Sequence, residues 1–239
     1  MRGSEAETAR GEFRLNLCQG GDVVSRLPPI LHLDRDIAIL DKPAGLAVHP
    51  GPRTPDSLEA LLPALGSRHF TPVAAHRLDR DTSGCIAIAL SRRGAKWLGA
   101  AFAGGGAAKT YWAILSALPD APEGVIDAPL TKISSAQAGW RMVTAPDGKP
   151  ARTRWRVLDG ATRLVEFRPE TGRTHQIRVH AAHLGCAIAG DPVYGRADGP
   201  MRLHARSLAV GLPDGRIIQA VAPLPPGWPA PAALVPENQ

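Results

Sequence analysis

Residues 74–84, "AAHRLDRDTSG", interleave Arg77, Asp79, Arg80 and Asp81 and close on a Thr-Ser-Gly turn. Apolar runs flank them, "TPVAA" (71–75) before and "CIAIAL" (85–90) after. Short apolar runs bounded by turn residues read as strands, so the charged residues fall on a loop between two strands. A carboxylate placed there rests on a rigid frame yet stays open to a substrate. The neighbouring arginines favour an ionised Asp79, fit to act as nucleophile or general base and unfit as general acid. The same residues also fit an ordinary surface turn in which Asp81 or Thr82 caps a bend.

Outward from this loop, strands outnumber helices. "ILHLDRDIAILDKPAGLAVHPG" (30–51) alternates apolar and polar residues, breaks at "KPAG" and resumes at "LAVHP", which predicts two short strands around that turn. "DSLEALLPAL" (56–65) predicts a short helix capped by Asp56 or Ser57. Ser91 is positioned to cap a helix over 92–103, with Trp97, Leu98, Ala101 and Phe102 at helical spacing. "KTYWAILSAL" (109–118) reads as a strand, and 152–168 as a hairpin turning at "DGAT". "GRTHQIRVHAAHLG" (172–185) reads as a helix with Thr174 as cap, Ile177, Ala181 and Leu184 as an apolar stripe, and Gly185 as the stop. This order gives an α+β class, with a loose arm over 1–27, a main domain over 28–220 and a Pro-rich tail over 221–239.

Composition narrows the partners. Aromatics are 5% against 44% hydrophobic residues, so aliphatic side chains and alanine must fill the core. The net charge of +6 favours a polyanion such as nucleic acid or an anionic membrane surface. GC-rich coding also yields Arg, Ala, Gly and Pro in abundance, so charge alone decides little. Cys18, Cys85 and Cys186 are too few and too scattered for a disulfide framework or a zinc site, and Cys85 and Cys186 read as core fillers. No apolar run reaches membrane-spanning length and the start lacks the apolar segment of a signal peptide, so a soluble cytoplasmic protein is expected. His175, His180 and His183 do not share a helical face and have no acidic ligand among them, so no metal is expected. An aspartic-protease dyad does not fit either: it needs a second carboxylate sharing a proton, and the chain has no second copy of the motif. Arg152, Arg154 and Arg156 alternate on a predicted strand and share one face, a stripe suited to phosphates or simply to solvent.

Four ordered motifs, "DIAILDKPAGLAVHPG" (36–51), "HRLDRDTSG" (76–84), "KTYWAIL" (109–115) and "RPETGRTHQIRVHAAHLGCAIAGDPVYG" (168–195), together resemble the RluA-type pseudouridine synthases over about residues 30–210. The resemblance implies a mixed, mostly antiparallel central sheet with flanking helices and a central active-site cleft. It implies a stand-alone catalytic domain, since nothing before residue 30 reads as the S4 RNA-binding domain of some relatives. The implied reaction converts uridine to pseudouridine in structured RNA, ribosomal or transfer, by breaking N1–C1′ and joining C5 to C1′. That isomerisation calls for no cofactor, and a monomer with no membrane partner is expected.

The resemblance also assigns roles. Asp79 would attack C1′ or take the C2′ proton, and Arg77 would enter the space left by the flipped base. Tyr111 would pack on the uracil, with a role as base at C5 proposed for its counterpart. Lys109, two residues earlier on the same strand face, would meet RNA or a nearby acid. Arg178 matches the arginine that pairs with the aspartate, and one step round the helix from Ile177 it can enter a cleft. Arg173 is the alternative partner, and near a helix start it also suits a phosphate. Leu203 matches an apolar position near the uracil. Asp81 and His76 are expected to steady the loop, and Arg141 and Arg154 to contact RNA. The competing class is an RNA-binding protein of the same fold used in chaperoning or assembly, which has no need of the trio Asp79, Tyr111 and Arg178.

Overall fold

The computed structural model describes residues 26–51, 56–67, 69–135, 139–229 and 231. Nearly all of the expected N-terminal arm, Cys18 and the end of the Pro-rich tail lie outside them. The chain opens with β1 (Ile30–Leu33) and β2 (Ile37–Lys42), an antiparallel pair. Their turn comes earlier than the sequence predicts, because Asp34 Oδ1 accepts the N–H groups of Asp36 and Ile37, each at 2.8 Å, and closes the bend. No second strand forms in "LAVHP", where Ala47 makes only an isolated bridge to Ser57. That segment instead curls around the buried Lys42 ammonium, which donates to the carbonyls of Pro43 and Leu46.

The short helix α1 (Leu58–Leu61) starts at Ser57, whose side chain accepts from Ala60 N–H. A 3₁₀ turn, Leu62–Leu65, follows with Pro63 in its first turn. β3 (Val73–Ala74) and β4 (Ser83–Ala89) flank the charged loop as expected. Ser91 caps α2 (Arg92–Ala103) by accepting from Gly94 N–H at 3.0 Å. β5 (Ala107–Ile114), β6 (Glu123–Asp127), β7 (Leu130–Ser135) and β8 (Gly139–Thr144) come next. β9 (Arg152–Asp159) and β10 (Leu164–Pro169) form the predicted hairpin, with Asp159 accepting from Ala161 N–H and the Thr162 hydroxyl in its turn.

α3 (Gln176–His183) is shorter than predicted, and Thr174 does not cap it. His175 occupies the cap position in a left-handed conformation, φ 54°, and makes no side-chain cap. Gln176 Oε1 takes over by accepting Arg173 N–H at 2.9 Å and the Thr171 hydroxyl at 2.7 Å. Gly185, φ 76°, ends the helix as expected. β11 (Leu203–Gly211) and β12 (Ile217–Val221) complete the chain of elements.

Among the described residues, ten strands form one sheet in the order β1-β2-β4-β11-β5-β10-β9-β6, with β12 on β11 and β3 on β4; β7 and β8 pair separately. Every pairing is antiparallel except β4 with β11. That parallel contact is tight: a Cβ at Gly84 would lie 2.3 Å from Ala205 O, and the residue sits at φ 105°, so only glycine fits. Both faces of the β2–β4 half are apolar. Ile37, Ile39 and Ala87 pack against Leu98 of α2, while Leu40, Ile86 and Ile88 pack against Leu58 and Leu62. α3 covers the other half through Ile177 and Ala181, on Val165, Phe167 and Leu203, with Leu184 at the edge of that cluster. Cys85 and Cys186 are buried free thiols, as their apolar neighbours predict.

The arginines of β9 share a face, as strand alternation requires, and Thr153 and Trp155 are buried on the other. They do not form an open basic stripe. Arg154 Nε lies 2.6 Å from Glu170, Arg156 Nε 2.8 Å from Glu166 and Arg152 Nη1 3.3 Å from Glu170. Glu166 sits opposite Arg156 on β10 and Glu170 follows that strand, so the neutralising charges come from the partner strand and the residue after it.

Candidate active site

A cavity of about 510 Å³ opens over the middle of the sheet, where the loop before β4 meets β5, the start of β11 and the segment 169–178. Loop 76–82 is fixed from below. Lys42 Nζ donates to Arg80 O at 2.9 Å as well as to Pro43 and Leu46, so one ammonium ties two loops together. Burial pushes its pKa down to about 8, opposed by the charges of Asp81 and Asp79. Gly45 N–H donates to Arg80 O and Arg80 Nε donates back to Gly45 O. Asp81, expected to orient this loop, is exposed, and the clamp is Lys42.

His76 supports the loop as expected, its Nε2 accepting Ala87 N–H at 3.0 Å beside the ring of Phe102. Burial, and then the charge of Lys109, push its pKa from 6.5 down to about 4. Between those values the unfolded chain binds a proton that the folded chain does not, so stability falls as pH drops through the window. By pH 5 this amounts to about 2 kcal/mol. His204, whose pKa is held down to about 4 mainly by burial, adds its own loss in any variant that keeps it. Urea unfolding at pH 7 and pH 5 is therefore expected to show a loss about 2 kcal/mol larger in the native protein than in His76→Gln, whose amide oxygen accepts without titrating.

At the cavity floor Asp79 faces α3. Arg178 Nη1 donates to Asp79 Oδ2 at 3.2 Å, while its Nε and Nη2 donate to Asp191 Oδ2 and Oδ1 at 2.7 and 2.8 Å. Asp191 is wholly buried and also accepts the N–H groups of Val193 and Tyr194. Burial disfavours its charge, but Arg178 and these amides outweigh that and hold its pKa below the usual value. Burial likewise opposes the Arg178 charge, and the two carboxylates overcome it and raise its pKa. The bidentate pair therefore fixes the guanidinium plane and leaves one edge for Asp79. Arg173, the alternative partner, instead donates to Pro150 O at 3.0 Å and stands exposed on the cavity wall.

Tyr111 and Leu203 line the same cavity as Asp79. Burial, with the Asp79 charge, raises the Tyr111 pKa, so the phenol is held neutral and a standing phenolate is disfavoured. Lys109 Nζ donates to Thr171 O at 3.1 Å, and Arg77 lines the cavity while exposed. Asp79, Tyr111, Arg178, Arg77, Lys109, Arg173 and Leu203 thus converge on one space. Arg141 and Arg154 lie elsewhere. Arg141 is exposed on β8 beside a smaller hollow of about 290 Å³, and Arg154 is in the ion-paired ladder. His180 is bound to Thr153 Oγ1 and Ala128 O beneath the helix, whereas His175 lines the cavity 3.8 Å from Asp79.

Sequence reasoning assigned nothing to Lys42, Asp191 or Tyr194, although all three fall inside the quoted motifs "KPAG" and "GDPVYG". Two carboxylates in reach of one arginine is the signal that would have found Asp191.

Comparison with known proteins places this geometry. A family model described as RNA pseudouridylate synthase matches residues 36–183, well over half of the chain. An uncharacterized RNA pseudouridine synthase of Zymomonas mobilis is 47% identical over 205 residues, covering 82% of this chain and 93% of that protein. Ribosomal large subunit pseudouridine synthase D of Nitrosomonas europaea is 38% identical over 215 residues, and the match spans only 62% of its length. Among solved structures, "Human RNA Pseudouridylate Synthase Domain Containing 4" superposes with a TM-score of 0.70 at 27% identity, covering 86% of this chain and 91% of that one. The mixed sheet and central cleft are those of this fold, and the chain belongs to the RNA pseudouridylate synthase family, whose reaction is the isomerisation of uridine to pseudouridine in RNA.

Proposed function

We propose that Asp79 carries this isomerisation, on a uridine flipped into the cavity from a stem-loop of large-subunit ribosomal RNA. The observation that supports the reading is the Asp191–Arg178–Asp79 chain. A buried, doubly anchored arginine holds one oxygen of a carboxylate and leaves the other facing a cavity large enough for a nucleoside. Oδ1 would attack C1′ or remove the C2′ proton, either of which releases uracil for rotation and rejoining through C5. Tyr111 and Leu203 form the surface on which uracil packs, and the neutral phenol suits that role better than proton abstraction. Arg77 enters the vacated stack. Lys109 and Arg173 have N–H groups to spare at the cavity wall and take phosphates. Ribosomal RNA is favoured because three relatives, one 38% and two 35% identical, are named ribosomal large subunit pseudouridine synthase D.

The test incubates the protein with in-vitro transcripts of large-subunit ribosomal RNA and, separately, transfer RNA, then separates the digested nucleosides by chromatography. Pseudouridine in the ribosomal transcript is the expected result; product only in transfer RNA would overturn the substrate assignment.

Arg154 and Arg141 are proposed as peripheral RNA contacts. Arg154 must exchange Glu170 for a phosphate, so its net gain is small. Arg173→Ala is therefore expected to reduce the salt dependence of RNA binding by about one phosphate contact, and Arg154→Ala by less. Filter binding across a salt series checks this, and equal slopes for the two variants would contradict it.

A further inference from the structure

We propose that His175 is a positioning residue for Asp79, held by Tyr194 as the tautomer whose Nε2–H faces the carboxylate oxygen that Arg178 leaves free. The inference rests on Asp79 being the catalytic carboxylate. Its evidence is a directional chain of hydrogen bonds. Met142 N–H donates to the Tyr194 oxygen at 3.0 Å, so that oxygen is already an acceptor from the backbone. Its own proton is left for His175 Nδ1, 2.9 Å away. With Nδ1 accepting, a neutral imidazole carries its hydrogen on Nε2. Burial favours that neutral form, against the charges of Asp79 and Asp191 and with those of Arg178 and Arg77.

Nε2 lies 3.8 Å from Asp79 Oδ1, while Arg178 Nη1 holds Oδ2. The two oxygens thus face different donors from α3 and its first turn. At 3.8 Å the imidazole orients the carboxylate by charge–dipole attraction and leaves Oδ1 unbound for the ribose. The backbone bears a cost for this aim: His175 is one of two non-glycine residues with positive φ among the described residues. Its ring is also locked sideways, stacked on Trp140 at 5.1 Å and edge-on to Tyr194 at 5.7 Å.

Two substitutions separate positioning from packing. His175→Phe keeps a ring for Trp140 and removes the N–H; His175→Gln removes the ring and keeps an amide N–H at similar reach. Single-turnover pseudouridine formation on ribosomal transcript is measured together with RNA affinity. His175→Phe is expected to slow turnover roughly 3- to 10-fold with affinity unchanged, less than a full hydrogen bond to a charged group would give because the contact is a charge–dipole one at 3.8 Å. His175→Gln is expected to recover most of that rate. The reverse order, or equal losses in both, would overturn the proposal and leave His175 as a seat for the β7–β8 hairpin. Tyr194→Phe removes the tautomer lock without altering His175, and an unchanged rate would overturn the proposal even if His175→Phe fails to fold. Asp79→Asn is run alongside: activity retained there would sink the reading of the site itself, a failure distinct from the His175 outcomes.

Discussion

Arg178→Ala is expected to lose about 3–5 kcal/mol of folding stability, and at least a hundredfold in turnover, roughly the 2.7 kcal/mol of one strong charged contact. The two losses have different origins. Asp191 has no exposed side-chain surface, and without the guanidinium its charge keeps only two backbone amides for company. An uncompensated buried carboxylate is among the costliest single defects a core can carry. Because Asp191 is held below its usual pKa, its stabilising contribution is present above the unfolded value of 3.8 and is lost on acidification through the lower folded value. The alanine variant removes that contribution at neutral pH. Turnover falls separately, because Asp79 loses the anchor on Oδ2. Arg178→Met combined with Asp191→Asn tests the division: removing both charges while the asparagine oxygen still accepts the Val193 and Tyr194 N–H groups is expected to restore most of the stability and none of the activity. Urea unfolding and pseudouridine formation on the three proteins check both parts. A single variant within about 1 kcal/mol of native would show that the pair is not the strut described here.

Asp79→Asn is expected to remove at least about a thousandfold of turnover, the combined scale of losing a nucleophile or base and its charge. Folding and RNA affinity should barely change. Asparagine has the same shape, its amide oxygen still accepts from Arg178, and at 17% exposure the side chain is not sealed in the core. On the proposed reading affinity is carried by Arg77, Lys109 and Arg173, which line the cavity and which the substitution leaves in place. Filter binding within about threefold of native is the matching expectation. A large affinity loss would move Asp79 from chemistry into binding.

Much of this was legible in the residues. Apolar runs either side of 76–82 placed the loop between strands, Ser91 announced the cap of α2, and the cap of α1 was narrowed to Asp56 or Ser57, of which the structure uses Ser57. The resemblance assigned Arg178 rather than Arg173 to Asp79, and helical geometry agreed, since Arg178 lies one step from the buried stripe; in the structure Arg173 instead precedes the helix and donates to a loop carbonyl. What stayed hidden depends on contacts distant in sequence or unusual in kind. Lysine is ordinarily a surface residue, so a fully buried Lys42 under two loops has no local signal. The arginine ladder of β9 looks open until the register of β10 sets Glu166 against Arg156. His175 takes a left-handed conformation with no glycine to announce it, so the cap falls one residue after Thr174 and the helix begins only at Gln176.

The central claim, that uridine is isomerised at Asp79, is tested most directly by tritium release. Ribosomal transcript labelled at uridine C5 loses that hydrogen to water when C5 bonds to C1′. Native protein and Asp79→Asn are compared at matched RNA occupancy. Release by the native protein and none by Asp79→Asn is the expected result. Release at comparable rates by both would place the chemistry on another residue and contradict the account.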